Sequence, residues 1–220
     1  MSILELFKKE TLLKQVVTEI DQMFAKNKQM YKSVIEFMFN NKPIVIDISK
    51  EDKELNQFEI EIRKKVFEHL SINPSKDLAF SLIIIDVARD TERIGDYCKN
   101  IYKLATEFPN VKKEGKYWAE LKSMSDYLEK LIENIHLAFR DANQNLANQE
   151  IANYRKAIYL PAWELIKNVA NDNSLSNQET AVLILTARYF RRISAFSINI
   201  ATSVVNEFPK IRYTKDNNDV

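Results

Sequence analysis

Glu92, Asp96 and Asn100 follow one another at four-residue intervals in the stretch DTERIGDYCKN. On a helix these side chains lie on adjacent turns, where two carboxylates and one amide oxygen make half of the coordination sphere of a hard or borderline cation. Arg89 and Arg93 precede the two acids by three residues each, a spacing that gives exposed ion pairs on a solvated helix face. A metal site and a solvated face both remain open from these residues alone.

Helical geometry predicts which face of the helix carries the motif. Each residue of an α-helix turns about 100°, so that Glu92, Asp96 and Asn100 fall on the side opposite the apolar residues, and we expect them on the outside of the bundle. Gly95 lies on the apolar side, where a glycine costs about 1 kcal/mol relative to alanine and indicates close helix packing. The predicted core stripe consists of Ile84, Val87, Ala88, Thr91, Ile94, Gly95, Cys98, Ile101 and Ala105.

Composition favours an all-α protein. The 220 residues are 45% hydrophobic and include only two glycines and five prolines, which are few of the turn residues that a sheet protein needs. The net charge of +1 is too small to attract the whole protein to nucleic acid or to anionic lipid. The longest stretch without a charged residue, 193–206, is too short and too polar for a membrane helix. With one cysteine and no signal-peptide pattern at the N-terminus, the sequence predicts a soluble cytoplasmic protein.

Apolar periodicity and helix-ending residues predict six helices. The fourth is expected to fray in the stretch DANQNLANQE, and the fifth to kink at Pro161, which removes one backbone donor. Ser49 is the expected N-cap of the second helix. The predicted ranges are 3–40, 49–70, 76–107, 116–140, 149–171 and 176–207, followed by a disordered tail at 210–220.

An internal repeat divides the chain. ARDTERIGDYCKNI at 88–101 aligns with ARYFRRISAFSINI at 187–200, and both helices end in EFP. The alignment predicts two three-helix units, residues 1–110 and 111–209, that share one bundle.

The second copy of the motif has lost its acids. Arg191 and Ala195 stand where Glu92 and Asp96 stand in the first copy. A cation site is therefore not expected there. Three arginines, Arg188, Arg191 and Arg192, form either a surface for an anionic group or an acidic partner, or a solvated charged face.

DTERIGDYCKNI, the preceding NPSKDLAFSL and the second-helix stretch EDKELNQFEIEI resemble the PhoU family of phosphate-uptake regulators. The resemblance implies a six-helix, two-repeat bundle that acts by contact with a phosphate transporter component or its sensor kinase, and that dimerises in many relatives. It also implies metal binding, characteristically as multinuclear iron or zinc clusters. The residues that match the metal-binding patterns are Glu92, Asp96 and Asn100, with Asp52 and Glu59 in the second helix.

Enzymatic activity has little support in the sequence. His69 and His136 lie on different helices, and the chain has no Glu-x-x-His pair, phosphate-binding glycine loop or nucleophile elbow. Cys98 lies on the core stripe, where packing is its expected role. We therefore predict a protein that is not an enzyme. The alternative to a metal-binding regulator is a metal-free helical adaptor of a membrane transporter.

Overall fold

Helices make up the folded part of the chain. The structure, a computed structural model, describes residues 12–72, 77–208 and 210–214, and this part of the chain contains six helices and no strand. The all-α prediction is confirmed. The helices are α1 (Leu12–Asn40), α2 (Ile48–Ile72), α3 (Leu78–Glu107), α4 (Lys116–Arg140), α5 and α6 (Asn177–Val205), where α5 joins Gln144–Tyr154, a π-helical turn Arg155–Tyr159 and Leu160–Ala170 without a break.

The central element is α3. It packs against α1 and α2 on one side and against α6 on the other, while α6 packs in turn against α4 and α5. A single hydrophobic cluster runs through all six helices. Every residue of the core stripe predicted for α3 is buried. Helix α3 contacts α6 along the middle of the bundle, and the division into units 1–110 and 111–209 stays a prediction.

Side-chain caps set where several helices begin. Asp47 accepts a hydrogen bond from the Lys50 N–H at 3.0 Å, so that α2 begins at Ile48 and the expected cap, Ser49, lies inside the helix. Ser176 and Glu179 form a capping box at the start of α6, where its beginning was predicted.

The fifth helix differs from its predicted form. Asn143 accepts a hydrogen bond from the Leu146 N–H and caps a helix that begins at Gln144, whereas the asparagine-rich stretch was expected to fray. The distortion expected at Pro161 is a π-helical turn at Arg155–Tyr159, just before the proline. A residue without an N–H is tolerated there because it lies in the first turn of the following α-helical segment.

The segment after α6 is folded against the bundle as far as residue 214. Ile211 is buried, and the Arg212 side chain reaches Asp86 and Asp90 of α3. The predicted disorder is therefore wrong for 210–214, because an apolar and a charged side chain in this segment find partners on α3 and α6. The predictions for 1–11, 73–76, 209 and 215–220 lie outside the described residues.

None of the helices in the described ranges has the length and apolar character that crossing a bilayer requires.

Candidate functional site

A close contact between α2 and α3 positions the first motif. A Cβ atom on Gly95 would meet the Leu55 side chain of α2 and the Asn27 side chain of α1, so that these two side chains fill the space left by the glycine. Asn27 is fully buried and donates from Nδ2 to the Thr91 carbonyl oxygen at 2.5 Å. The sequence prediction of tight packing at Gly95 agrees with this arrangement, which fixes α3 in the turns that carry Glu92 and Asp96.

We expected the motif on an outer face of the bundle, but the structure does not place it there. Glu92 is buried, with 6% of its surface exposed, while Asp96 and Asn100 are half-buried. The expectation assumed that α3 has one buried side. Because α1, α2 and α6 surround α3, the side opposite the core stripe is also covered, and the motif lies at the seam between α2 and α3.

The electrostatics of the seam act on Glu92. Burial, together with the neighbouring carboxylates of Asp96, Glu59 and Asp52, raises the pKa of its carboxyl to about 7, although the charge of Arg93 opposes this rise. Arg93 bridges the motif, with Nε 3.6 Å from a Glu92 oxygen and a terminal nitrogen 3.0 Å from Asp96 Oδ2. The Glu92 carboxyl therefore titrates near neutral pH.

The second-helix residues suggested by the family resemblance face the same seam. Asp52 is 5% exposed, and Lys99 of α3 holds it with Nζ 2.5 Å from Oδ2. Arg63 lies 2.5 Å from Glu59 Oε1. Both acids are close enough for their charges to raise the pKa of Glu92. The structure thus places four carboxyl groups along the seam between α2 and α3, and nothing in the sequence pattern singled out Lys99 as the residue that joins the two helices.

This donor set, as arranged, does not form a metal site. In the described ranges no three His, Cys, Asp or Glu side chains converge so that they could hold a metal ion. The oxygens that would ligate a cation are bonded to Lys99, Arg93 and Arg63 instead. A metal ion at Glu92 and Asp96 would have to replace Arg93, and Asp52 could join only if Lys99 moved away.

The arginines of the second repeat lie on aromatic rings. The Arg191 guanidinium is 4.3 Å from the Tyr159 ring centroid and 5.3 Å from that of Trp163, both in α5. Arg192 lies 4.7 Å from the Phe196 ring and 5.9 Å from the ring of Tyr97 in α3. Arg188 is exposed between them. The arginines were predicted from the sequence as a candidate surface, but the rings of α5 were not, because periodicity does not reveal which exposed aromatic residues face a neighbouring helix.

A second buried acid lies on the opposite side of α3. Asp90 is 3% exposed, and burial raises its pKa to about 6 although Arg212 and Asn199 favour the charged form. Arg212 binds it at 3.2 Å and also binds Asp86 at 3.0 Å, while its N–H donates to Thr202 Oγ1. This cluster was not predicted from the sequence, because Arg212 belongs to a segment that we expected to be disordered.

The sequence of this chain is similar to those of known proteins. The sequence profile of the PhoU domain matches residues 20–105, which include the seam between α2 and α3. A curated relative from Thermotoga maritima, the phosphate-specific transport system accessory protein PhoU homolog 1, is 24% identical over 203 residues. That alignment covers 89% of this chain and 85% of the relative.

Two crystal structures have a similar fold. PhoU from Pseudomonas aeruginosa superposes with a TM-score of 0.80 at 18% identity, over 88% of this chain and 95% of the other. The phosphate transport system regulatory protein PhoU from Streptococcus pneumoniae superposes with a TM-score of 0.76 at 18% identity, over 88% and 93%. The similarity therefore extends through both three-helix groups.

Proposed function

Because this chain belongs to the PhoU family, we propose that it is a cytoplasmic regulator of phosphate uptake that acts by binding a phosphate transporter component, its sensor kinase, or both. The observation that carries the proposal is the end-to-end match with a phosphate transport accessory protein, which spans 89% of this chain. A regulator of this kind needs surfaces for partners and no catalytic group of its own. The charged seam between α2 and α3 and the arginines of α6 are the two candidate surfaces.

Direct binding tests this function. The full chain is titrated by biolayer interferometry against the purified ATP-binding subunit of the phosphate transporter from the same organism, and against the cytoplasmic part of the phosphate sensor kinase. The ATP-binding subunit of an unrelated transporter is the control. We expect saturable binding to at least one of the two phosphate proteins and none to the control. Absence of binding to both, together with unchanged phosphate uptake in cells that lack the protein, would refute the proposal.

A metal ion at the first motif is a separate proposal within this function. Glu92, Asp96 and Asn100 would be its ligands, with Asp52 and Glu59 nearby, and a divalent ion or an iron or zinc cluster would neutralise the carboxylates of the seam. Support comes from the neighbouring carboxylates of Asp96, Glu59 and Asp52, which add to the effect of burial in raising the pKa of Glu92. Against it stand Arg93 and Lys99, which already bond two of these acids.

Metal content decides between this proposal and a metal-free adaptor. Protein is purified without chelator and without a nickel column, and its metal content is compared with that of the Glu92→Ala/Asp96→Ala double variant. A metal that is present in the wild type and lost in the variant supports a site at the motif. Equal content in both proteins refutes the site and leaves the metal-free adaptor, whose charge balance Arg93 and Lys99 already provide.

A further inference from the structure

Exposed aromatic rings and arginines form one surface where α5 and α6 meet. We call it the arginine–aromatic surface, and it consists of Arg155, Tyr159 and Trp163 of α5 and Arg188 and Arg191 of α6. Tyr159 and Trp163 are 39% and 49% exposed although both are large hydrophobic side chains. Tryptophan, tyrosine and arginine are the residues that most often dominate the energetics of protein interfaces.

The arginines of this surface lack acidic partners. Arg155, Arg188 and Arg191 form no ion pair with any described residue, whereas Arg93, Arg140 and Arg212 each do. Arg155 and Arg191 both contact the Tyr159 ring, with their guanidinium carbons 5.6 Å and 4.3 Å from its centroid, so that one tyrosine side chain has two positive charges beside it. A carboxylate bound at this surface would offset that charge.

Contact with two aromatic rings restricts the Arg191 side chain before a ligand binds. Its guanidinium lies against the rings of Tyr159 and Trp163, which restrict its movement, and its Nε is buried without a hydrogen-bond partner in the described residues. A guanidinium restricted in this way is a suitable group for binding a carboxylate with two parallel hydrogen bonds. Little side-chain freedom is then left to lose on binding.

We propose that the arginine–aromatic surface binds an acidic helical segment of a partner protein, with carboxylates on Arg188 and Arg191 and an apolar side chain against Trp163. This inference rests on the proposed function, since it names the surface through which a partner is contacted. Charge complementarity selects the ligand class, because three arginines without acidic partners in the described residues, two of them exposed and one half-buried, lie beside an apolar anchor. An anionic bilayer fits less well, because the exposed Glu164 follows Trp163 in the sequence and the chain as a whole carries a net charge of only +1.

The test uses the full chain and a defined probe. The probe is a fluorescein-labelled, helix-stabilised peptide with glutamates on one face and leucines beside them, and its matched form carries glutamine in place of every glutamate. Fluorescence anisotropy is measured for the wild type, Arg188→Gln, Arg191→Gln, Arg191→Lys and Trp163→Ala. Arg140→Gln is the charge-matched control, since Arg140 is exposed on α4 and bonded to Asp141. Circular dichroism verifies the fold of each variant.

We expect the acidic peptide to bind and the glutamine peptide to bind at least about tenfold more weakly. Arg191→Gln and Trp163→Ala should each weaken binding by about tenfold. Arg191→Lys should weaken it too, because lysine keeps the charge and loses the planar fork. Arg140→Gln should leave binding unchanged.

Other outcomes overturn the inference. If both peptides bind with equal affinity, or if Arg191→Gln does not weaken binding of the acidic peptide, this surface does not recognise acidic segments. Sedimentation with vesicles of equal parts phosphatidylcholine and phosphatidylglycerol that depends on Arg191 would assign the surface to membranes. A dimer that Trp163→Ala dissociates in size-exclusion chromatography would assign it to a second copy of the chain. If transporter or kinase binding persists unchanged in Arg191→Gln, the inference fails while the proposed function stands.

Discussion

Leu55 of α2 lies directly over Gly95 of α3, with its Cδ1 atom in the space that a Cβ atom on residue 95 would occupy. The contact decides how deeply the motif beside it is buried, because any wider separation of the helices would admit water to Glu92.

Replacing Gly95 with alanine should therefore destabilise the protein. Alanine favours an isolated helix by about 1 kcal/mol, but overpacking against Leu55 should lower the free energy of unfolding by about 1–3 kcal/mol. Urea unfolding of Gly95→Ala, Leu55→Ala and the double variant measures the effect. The double variant should lose less than the sum of the two single changes, since the smaller side chain makes room for the added methyl group. A Gly95→Ala protein as stable as the wild type would contradict the close contact.

Removal of the Glu92 carboxyl should change the dependence of stability on pH. Its folded pKa of about 7 lies above the ordinary value of 4.5, so that the folded state binds the proton more tightly than the unfolded state. Stability from this group is complete below the ordinary value and is lost as the pH rises through the folded value. Between about pH 4 and pH 8 the stability of Glu92→Gln relative to the wild type should therefore rise by on the order of 2 kcal/mol.

Thermal unfolding across this pH range measures the difference. Glu164→Gln is the matched control, because it removes an exposed glutamate carboxyl of α5. Its profile should follow that of the wild type. Identical profiles for Glu92→Gln and the wild type would mean that Glu92 is not buried among acids.

Loss of the Lys99 ammonium should loosen the seam between α2 and α3. Asp52 is 5% exposed, and Lys99→Met would leave its buried carboxylate without the partner that now lies 2.5 Å away. We expect the free energy of unfolding at neutral pH to fall by about 1–2 kcal/mol, since Lys99 itself is partly solvated. Asp52→Asn combined with Lys99→Met should recover most of the loss. A single variant with wild-type stability would show that the pair contributes nothing.

Arg212 should stabilise the protein in a pH-dependent manner. It favours the charged form of Asp90, whose pKa is nevertheless raised to about 6 by burial. Arg212→Gln should lower the free energy of unfolding by about 1–2 kcal/mol above that pH and by less below it, where a protonated Asp90 needs no cation. Denaturant titrations at about pH 8 and pH 5 measure both values. Equal losses at the two pH values would show that Arg212 acts through packing or through Asp86 rather than through Asp90.

The sequence predicted what depends on the periodicity of a single helix. The buried stripe of α3, including Gly95 and Cys98, follows from spacing alone and is confirmed. Burial of Glu92 could not be predicted in this way, because it depends on a second helix that covers the other side of α3. The Lys99–Asp52 pair and the Arg212–Asp90 pair join residues far apart in sequence. The spacing of residues within one helix does not predict such contacts.

Local chemistry also explains why the ends of some helices were predicted and others were not. The start of α6 carries a capping box whose two residues are visible in the sequence. Asn143 caps α5, but several other asparagines lie near it in the sequence and could have the same role. The start of α5 was therefore interpreted as fraying of α4. Several polar residues that can each act as a cap compete in the sequence, and only the fold selects one.

The π-helical turn at Arg155–Tyr159 acts as an inserted residue that resets the phase of α5. Before it, Ala147 and Glu150 point into the bundle, and after it Ala162, Leu165 and Val169 do so. Deletion of one residue from the turn would restore a regular α-helix and rotate everything downstream by about 100°. Trp163 would then leave the side of Arg191, and an exposed position would be drawn into the core. The phase of a single turn thus decides which side chains α5 shows to solvent.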